Sequence, residues 1–423
     1  MPDSTTLPDP PTQAPAPARP APSEERLALK RRFPTAHDLR QHARRILPNF
    51  AYEYMDGGAG IDGGIERNWA ALDAIEMVPR YGNVVAPPPA NTTLFGRAYA
   101  APIGIAPVGG PGTGFPGAET YMAKAAQAAR VPYTLGVLSG IDLEKASALA
   151  PDVLWFQIYR FAKNEHKIGF DLVRRAEENG VHVLVLTFDT PTRTVRSREV
   201  KSGIVNPFRL TTRLRLDAMR SPHWLGSLAR NGIPRFVTLN RYVGKSNPTI
   251  EESSEFIRKE QGGAFTWDEI ARYRDKWKKP LALKGVLHPE DAERAVALGL
   301  DGIWVSNHGG RQIEALPAPI DVLPAIAAQV NKRATIIFDS GVRSGVDAAR
   351  AVALGADAAF AGKAFLWSLG ALGGRGPAHM IDLFIDDVSA TLGQLGCLTV
   401  PELRNVPVRH PGAWRAEELA GRG

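Results

Sequence analysis

Eight short, apolar and β-prone runs recur between residues 102 and 361, and they restrict the possible folds more than any other feature of the chain. The runs cover residues 102–107, 133–135, 153–159, 183–188, 281–284, 302–306, 335–339 and 358–361. Helical stretches follow most of them, for example 119–130, 170–178, 290–297 and 346–354. Strands that alternate with helices form parallel sheets, and their buried strands are almost continuously apolar. Eight units predict an α/β fold, a closed (β/α)8 TIM barrel, rather than a doubly wound sheet, which more often has about six strands.

The regions outside the barrel units differ in composition. Residues 1–24 are rich in Pro and Ala, so we predict that this segment is disordered. Thr35, with Asp38 three residues later, is typical of a helix N-cap and begins a predicted N-terminal helical cap. The barrel domain is predicted over residues 25–400, with a long insertion at 204–265 after the fourth strand and a C-terminal tail at 401–423.

Composition limits the classes of partner. The formal net charge of +7 is mild for 423 residues, and basic residues are not interleaved with aromatic ones, which argues against nucleic-acid binding. A modest positive excess suits an anionic small substrate, a phosphate-bearing cofactor or an acidic membrane surface. Cys397 is the only cysteine, so we expect a buried structural thiol and no thiolate-bound metal. Without a long apolar run or signal core, the expected location is the cytoplasm, with peripheral contact at the inner membrane face as a second possibility.

Polar residues end six successive strands of the predicted barrel. In a TIM barrel the chemistry gathers at the C-terminal ends of the strands, so we expect these side chains to build one site. They are Gln157 and Tyr159 after the third strand, Thr187 and Asp189 after the fourth, Lys284 after the fifth, Ser306 and His308 after the sixth, Asp339, Gly341 and Arg343 after the seventh, and Gly362 and Lys363 after the eighth.

The stretch Ser-Asn-His-Gly-Gly-Arg-Gln at residues 306–312 combines a candidate base with a candidate anion-binding group. His308 can accept a proton near neutral pH, and Arg311 offers a planar fork of donors to a carboxylate. Gly309 and Gly310 allow a ligand to approach the main chain closely. By itself the stretch fits a catalytic pair or a polar surface turn equally well, and its position beyond a strand end favours catalysis.

These motifs occur in the order found in a known family. The stretch at 306–312, the sequence Leu-Lys-Gly-Val at 283–286 and the sequence at 339–345 together resemble the FMN-dependent L-2-hydroxy-acid oxidase/dehydrogenase family. That family includes glycolate oxidase, lactate oxidase and dehydrogenase, and mandelate dehydrogenase. The resemblance extends from about residue 35 to residue 396 and implies FMN as cofactor, oxidation of a 2-hydroxy acid to the 2-keto acid, and a homotetramer.

The resemblance also implies a role for each site residue. His308 would be the base, Asp189 would orient its imidazole, and Tyr159 would bind the substrate hydroxyl. Tyr52, Arg196 and Arg311 would hold the substrate carboxylate. Arg196 could instead be a solvated surface cation, and Tyr52 an ordinary helix tyrosine. The residues implied in cofactor binding are Pro107, Val108, Gly109, Gln157, Thr187, Lys284, Ser306, Asp339, Gly341, Arg343, Gly362 and Lys363.

Several positions depart from the family pattern. Gly136 and Val108 replace a common Ser and Thr, and Lys363 keeps the charge but not the fork of the usual phosphate-binding Arg. Gly110 and Leu138 are smaller than the residues often found there. From these two positions we predict an open pocket that accepts a bulky or aromatic 2-hydroxy acid rather than glycolate.

Three questions stay open at the level of sequence. The insertion at 204–265 fits a mobile active-site lid better than a membrane-facing segment, because it contains no long amphipathic helix. Oxygen would make the enzyme an oxidase, whereas a quinone or carrier protein would make it a dehydrogenase. The remaining alternatives are another FMN barrel enzyme, for example of the isopentenyl-diphosphate isomerase type, and a non-catalytic flavin-binding protein.

Overall fold

The computed structural model of the protein describes residues 23–84, 86–192, 194–204, 211–245 and 247–419. Eight parallel strands close into a barrel in the order β10-β11-β4-β5-β6-β7-β8-β9, which confirms the predicted fold. The barrel strands are β4 (Ile103–Ile105), β5 (Tyr133–Gly136), β6 (Leu154–Ile158), β7 (Val183–Thr187), β8 (Leu281–Val286), β9 (Gly302–Val305), β10 (Thr335–Phe338) and β11 (Ala358–Ala361). Outside the barrel lie the short strands β1 (Glu76–Met77), β2 (Thr92–Leu94), β3 (Arg97–Tyr99) and β12 (Val408–Arg409).

Helices alternate with the strands and surround this barrel. Those before and within the first half are α1 (Glu24–Arg32), α2 (Ala36–Ile46), α3 (Asn49–Asp56), α4 (Gly63–Asp73), α5 (Ala118–Ala129), α6 (Leu143–Leu149), α7 (Lys163–Glu178) and α8 (Ser197–Ser202). The insertion and second half contribute α9 (Thr212–Met219), α10 (Pro222–Asn231), α11 (Ile250–Glu260), α12 (Trp267–Lys276), α13 (Pro289–Ala297), α14 (Pro319–Val330), α15 (Gly345–Ala353), α16 (Lys363–Leu372), α17 (Gly376–Leu395) and α18 (Ala416–Leu419).

Large aromatic side chains fill the interior of the barrel. Trp155, Trp304 and Phe360 come from three strands that are not neighbours, yet their ring centroids lie 4.7 to 6.3 Å apart. A Cβ on Gly104 would lie 2.4 Å from the ring of Phe360, so this strand position has no room for a side chain. The hairpin β2–β3 closes the N-terminal end, where Phe95 packs on Trp155 at 5.4 Å. With its interior filled, the barrel has space for a ligand only above its C-terminal end.

The N-terminal helices agree with the capping pattern in the sequence. Thr35 and Asp38 form a reciprocal capping box at the start of α2, which confirms that prediction. The prediction of disorder over 1–24 is corrected at its end, because Ser23 caps α1 and Glu24 is its first residue. Residues 1–22 lie outside the described residues. Arg26 of α1 forms an ion pair with the buried Asp382 of α17, so a charge pair fixes α1 to the body of the protein.

The insertion and the C-terminal segment are both structured where they are described. The insertion carries α9, α10 and α11, while residues 205–210 and 246 lie outside the described part of the chain. At the C-terminus, β12 pairs with β1 through Val408 and Met77. Cys397 is buried, as predicted. Among the described residues, no helix is both long and apolar enough to cross a membrane.

Candidate active site

A cavity of about 950 Å³ opens at the C-terminal ends of the barrel strands. This volume lies at the upper end of the range for cofactor and ligand sites. Most of the predicted site residues line it, namely Pro107, Val108, Gly109, Tyr159, Arg196, Lys284, His308, Arg311, Asp339, Gly341, Arg343, Gly362 and Lys363. Five others do not line it, and they are Tyr52, Gln157, Thr187, Asp189 and Ser306.

His308 and Asp189 form a hydrogen-bonded pair of an imidazole and a carboxylate. His308 follows β9 with φ at 60°, and its Nδ1 lies 3.1 and 3.3 Å from the two carboxylate oxygens of Asp189. Gly285 makes this contact possible, because a Cβ there would lie 2.4 Å from the Asp189 side chain. Burial alone would raise the pKa of Asp189, but the neighbouring His308 and Lys284 lower it. The ionised carboxylate therefore holds a proton on Nδ1 and leaves Nε2 as the basic atom on the cavity side.

Lys284 places a buried cation at the floor of the cavity. Its Nζ lies 3.0 Å from a carboxylate oxygen of Asp339 and 2.7 Å from the Ser306 hydroxyl. Burial alone would lower the pKa of Lys284, whereas Asp339 and Asp189 raise it, so the ammonium stays charged. The backbone N–H of His308 donates to the same Ser306 hydroxyl at 3.0 Å. Ser306 thus connects the cation to the strand end that carries the base.

Gln157 and Thr187 form a second polar layer next to this cation. Both are buried, and the Gln157 amide donates to the Thr187 hydroxyl at 2.7 Å. The strand register pairs Thr187 with Lys284, which places the polar layer beside the floor of the cavity. The backbone at Pro107–Gly109, which was predicted to approach a flavin ring, lines the cavity directly.

Arg196 and Arg311 converge on one carboxylate of the chain itself. Nη2 of Arg311 lies 2.5 Å from Oε1 of Glu199, and Nη1 of Arg196 lies 3.4 Å from the same oxygen. Arg311 also donates to the carbonyl oxygen of Gly57 at 2.8 Å. Burial first, and then the Arg311 cation, lower the pKa of Arg196. The two guanidinium groups therefore form a carboxylate-binding pair, and Glu199, which the sequence analysis missed, lies against it in this structure.

Tyr54, rather than Tyr52, is the tyrosine of α3 that reaches the cavity. The Tyr54 hydroxyl donates to the carbonyl oxygen of Gly109, and the Arg311 guanidinium lies 5.6 Å from its ring centroid. Tyr52 is buried on the other side of α3, where the guanidinium of Arg44 lies 5.6 Å from its ring. The predicted placement of Tyr52 in the substrate site is therefore corrected. Burial raises the pKa of Tyr54 to about 12, so its hydroxyl stays a hydrogen-bond donor.

The surroundings of Lys363 bear on whether the cavity suits a phosphate-bearing cofactor. It is the first residue of α16, lines the cavity and donates to the carbonyl oxygen of Gly57 at 2.8 Å. Burial and the nearby Arg311 lower its pKa from 10.5 to about 7. Among the described residues, no carboxylate forms an ion pair with Lys363. A buried ammonium without an anionic partner, beside Arg343 and the backbone of Gly341 and Gly362, fits a phosphate group.

The insertion supplies the roof of the cavity. Phe236, Ile250 and Ile257 line it from above, together with Leu138 from the barrel. A Cβ on Gly110 would lie 3.2 Å from the ring of Phe236, so this small residue lets the roof come close to the barrel. The insertion also lines the cavity with Ser254, Arg258 and Gln261, so the roof combines apolar and polar side chains above a charged floor. Sequence periodicity could not reveal this, because the insertion lies outside the repeating units.

Comparison with known proteins gives the family. The profile of the FMN-dependent dehydrogenase family matches residues 43–410. An L-lactate dehydrogenase of Caulobacter sp. (strain K31) is 36% identical over 368 residues, covering 86% of this chain and 96% of its own length. An L-lactate dehydrogenase of Pseudomonas syringae pv. syringae (strain B728a) is 33% identical over 372 residues, covering 87% and 96%.

Solved structures agree with these relatives. The monotopic membrane protein (S)-mandelate dehydrogenase superposes with a TM-score of 0.83 at 29% identity, covering 89% of this chain and 99% of its own. A mandelate oxidase gives 0.75 at 31% identity, with the same coverage. The charged floor of the cavity, the His308–Asp189 pair and the phosphate-compatible surroundings of Lys363 agree with these matches. The chain therefore belongs to the FMN-dependent dehydrogenase family of 2-hydroxy-acid oxidoreductases, and its cofactor is FMN.

Proposed function

We propose that this enzyme oxidises a bulky, apolar L-2-hydroxy acid to the 2-keto acid, with His308 as base. The observation that carries the proposal is the convergence, in one cavity, of the His308–Asp189 pair with the two arginines Arg196 and Arg311. His308 would remove a proton, and the two arginines would bind a carboxylate. A 2-hydroxy acid carries its hydroxyl group and its carboxylate on adjacent carbons. FMN supplies the acceptor for the two electrons that leave the substrate.

Binding begins at the arginine pair. The substrate carboxylate takes the position of the Glu199 carboxylate, which lies between Arg311 and Arg196. Guanidinium groups hold carboxylates through parallel, charge-assisted hydrogen bonds, so the pair fixes the orientation of C2 as well as the affinity. Tyr54 lies against Arg311 and restricts the position of its guanidinium.

The proton moves to Nε2 of His308. Asp189 holds the Nδ1 proton and stabilises the imidazolium that forms, as the carboxylate in a base–carboxylate pair does. Tyr159 lines the same cavity, and burial followed by the Asp189 charge raises its pKa, so its hydroxyl donates to the substrate oxygen. Proton removal from carbon and transfer of a hydride use the same residues in this arrangement.

The cofactor-binding end uses the remaining charges. With FMN bound, Lys284 would stabilise negative charge on the reduced ring, and the backbone at Pro107–Gly109 would line one face of the ring. Gln157 and Thr187 would bond the edge of the ring after their mutual hydrogen bond is exchanged. Arg343 and Lys363 would hold the phosphate, as in other barrels where the phosphate lies after strands seven and eight.

The first experiment is anaerobic reduction of the FMN-loaded enzyme by a panel of L-2-hydroxy acids. We expect the visible flavin band to bleach, fastest with acids that carry a phenyl ring or a long apolar chain. His308→Gln should slow this bleaching about 10³-fold, the scale of a lost general base. His37→Gln, at an exposed position of α2, is the matched control.

Two outcomes would count against the proposal. If no hydroxy acid bleached the bound flavin, the chain would have lost or redirected the chemistry of its family. If glycolate and lactate were the best substrates and bulky acids were inactive, the substrate class would be wrong. Admission of air to the reduced enzyme then separates the two acceptors, since fast reoxidation indicates an oxidase and slow reoxidation a quinone- or carrier-linked dehydrogenase.

Membrane contact and assembly belong to the same proposal. One structural neighbour is a monotopic membrane protein, and the helical insertion of this chain exposes Leu216 and Met219. We therefore include peripheral membrane contact as a property to test by sedimentation with liposomes. The homotetramer stays a prediction, which light scattering of the purified enzyme would test.

A further inference from the structure

A second cavity, of about 490 Å³, lies where α1 and α2 meet the start of α10 and the end of α16. We call it the arginine groove, and its charged lining consists of Arg32, Arg45, Arg220, Arg375, His42 and His223. A neighbouring cavity of about 360 Å³ shares His223 and Arg375 with it and adds Arg230. Of the residues that the structure describes, no Asp or Glu lines either cavity, and neither cavity shares a lining residue with the active site.

The positive charges of the arginine groove are not balanced by the protein. Within the described ranges, Arg32, Arg45 and Arg220 form no ion pair. Arg375 pairs only with Glu25, at 2.9 Å, and both of these side chains are more than half exposed. By contrast, Arg26 on the same helix α1 pairs with a buried carboxylate of α17. Arg26 therefore holds α1 against the protein, and Arg32 of the same helix faces the groove.

The imidazoles point to the same kind of ligand. Nε2 of His223 is buried and has no hydrogen-bond partner, although buried polar atoms are normally satisfied. Burial, followed by the cations of Arg32 and Arg45, lowers the pKa of His42, and burial followed by His42 lowers that of His223. An oxyanion in the groove would offset the cations that disfavour protonation of the two imidazoles, and it would then accept a hydrogen bond from Nε2 of His223.

The arginine groove is built partly from residues that precede the match to the family profile. The family profile begins at residue 43, but Leu29, Arg32, Phe33 and His42 already form one wall of the groove. Leu29, Phe33 and Leu372 make the floor between the charges apolar. A ligand suited to this lining carries a compact, multiply charged head and an uncharged part beside it.

We infer that the arginine groove is a binding site for a phosphoryl group, carried either by a soluble organic phosphate or by the headgroup of an anionic lipid. The groove lies outside the catalytic cavity, so this site does not take part in the oxidation. Clustered guanidinium groups recognise phosphate through forked hydrogen bonds, and several such bonds set both affinity and orientation.

The test uses the FMN-loaded enzyme, so that the cofactor already fills the phosphate site of the barrel. Inorganic pyrophosphate is titrated by calorimetry into the wild type and into the double variant Arg32→Gln/Arg220→Gln. We expect binding to the wild type and a loss of at least about tenfold in the variant, since each substitution removes a charge-assisted hydrogen bond. The matched control is Arg31→Gln/Arg215→Gln, which removes the same charge from exposed positions of α1 and α9 outside the groove.

The second arm distinguishes the two sources of the phosphoryl group. The same proteins are sedimented with phosphatidylcholine vesicles, with and without phosphatidic acid. If the wild type sediments only with vesicles that contain phosphatidic acid, and the Arg32→Gln/Arg220→Gln variant does not sediment, the ligand is a lipid headgroup. If the wild type binds pyrophosphate but does not sediment with the vesicles, the ligand is a soluble phosphate. The inference is overturned if neither probe binds, or if the groove variant and its control bind equally. Turnover of the hydroxy acid, measured on the same samples, should be equal in all three proteins and reports on the proposed function separately.

Discussion

At the scale of single residues, the position of a side chain around its helix decides which tyrosine enters the site. Tyr52 and Tyr54 lie two positions apart on α3, and a helix turns about 100° per residue, so the two point roughly 200° apart. Only one of them is able to face the barrel. The sequence identifies the helix and both tyrosines, but it does not show which face meets the strand ends.

This difference gives a direct prediction. Tyr54→Phe should lower kcat/KM for the hydroxy acid by about tenfold, the scale of one hydrogen bond in a charged site, whereas Tyr52→Phe should change it less than twofold. The side chain of Tyr54 lines the cavity beside Arg311, and that of Tyr52 does not. Steady-state kinetics and FMN content of both variants provide the measurement. A larger loss in Tyr52→Phe than in Tyr54→Phe would show that the assignment is reversed.

Glu199 leads to a second prediction at this scale. Because its carboxylate lies against both Arg311 and Arg196, we expect it to compete with the carboxylate of the substrate. Glu199→Gln keeps the shape and removes the charge, so KM should fall by about three- to tenfold while flavin content stays constant. Oxalate, a non-reactive dicarboxylate, should bind to Glu199→Gln about three- to tenfold more tightly than to the wild type. A titration that follows the change in the flavin spectrum measures this affinity.

The opposite result would assign Glu199 a different role. A rise in KM, or weaker binding of oxalate, would mean that Glu199 positions the two arginines rather than competing for them. Glu177→Gln, on the outer helix α7, is the control for loss of one negative charge.

At the scale of elements, the start of α16 is the place where we propose that the phosphate of FMN binds. Lys363 is the first residue of this helix, and burial together with Arg311 lowers its pKa to about 7. A phosphate dianion favours the ammonium form, so above about pH 7 the protein must take up a proton when FMN binds. The affinity of the apoprotein for FMN should therefore fall as the pH rises from about 7.5 to 9, by up to about tenfold per pH unit.

Substitution of Lys363 tests whether this residue causes the pH dependence of FMN binding. Lys363→Arg should bind FMN with little dependence on pH over the same range, because a guanidinium stays protonated. Lys278→Arg, at an exposed position, should keep the pH dependence of the wild type. Quenching of flavin fluorescence measures the affinities. An equal slope in wild type and Lys363→Arg would mean that another group takes up the proton.

The insertion shows a limit of prediction at the element scale. Its composition suggested a lid or a membrane-facing segment, and the structure makes residues of α11 and Phe236 the roof of the cavity. The capping box of Thr249 and Glu252 explains where α11 begins. Nothing in the local sequence determines that its Ile250 and Ile257 face the active site, because that contact joins segments far apart in the chain.

At the scale of the whole molecule, we expect the size of the active-site cavity to limit which hydroxy acids are oxidised. Leu138 lines it, and its Cδ1 would lie 3.5 Å from a Cβ placed on Gly109. Leu138→Trp should lower kcat/KM by about tenfold or more for acids with a phenyl ring, since overfilling a packed site costs about 1–3 kcal/mol. Turnover of lactate should stay within about twofold, as its methyl group does not reach this wall.

Two other outcomes would assign Leu138 a different role. If phenyl-bearing acids and lactate lost activity in parallel, Leu138 would act on the flavin rather than on substrate size, and the FMN content would reveal this. If neither changed, the bulky end of the substrate would lie toward the roof and not toward Leu138.

The barrel, the approximate positions of its strands and most of the candidate site residues that line the cavity follow from the sequence alone. This was possible because alternating strands and helices are local patterns, and a closed parallel barrel brings every strand end to one rim. His308, Lys284 and Lys363 are therefore predictable from their positions along the chain. The choice of Tyr54, the contact of Glu199 with two arginines, and the arginine groove were decided only by the tertiary structure. Each depends on helix rotation or on packing between distant segments, and local sequence patterns do not encode either.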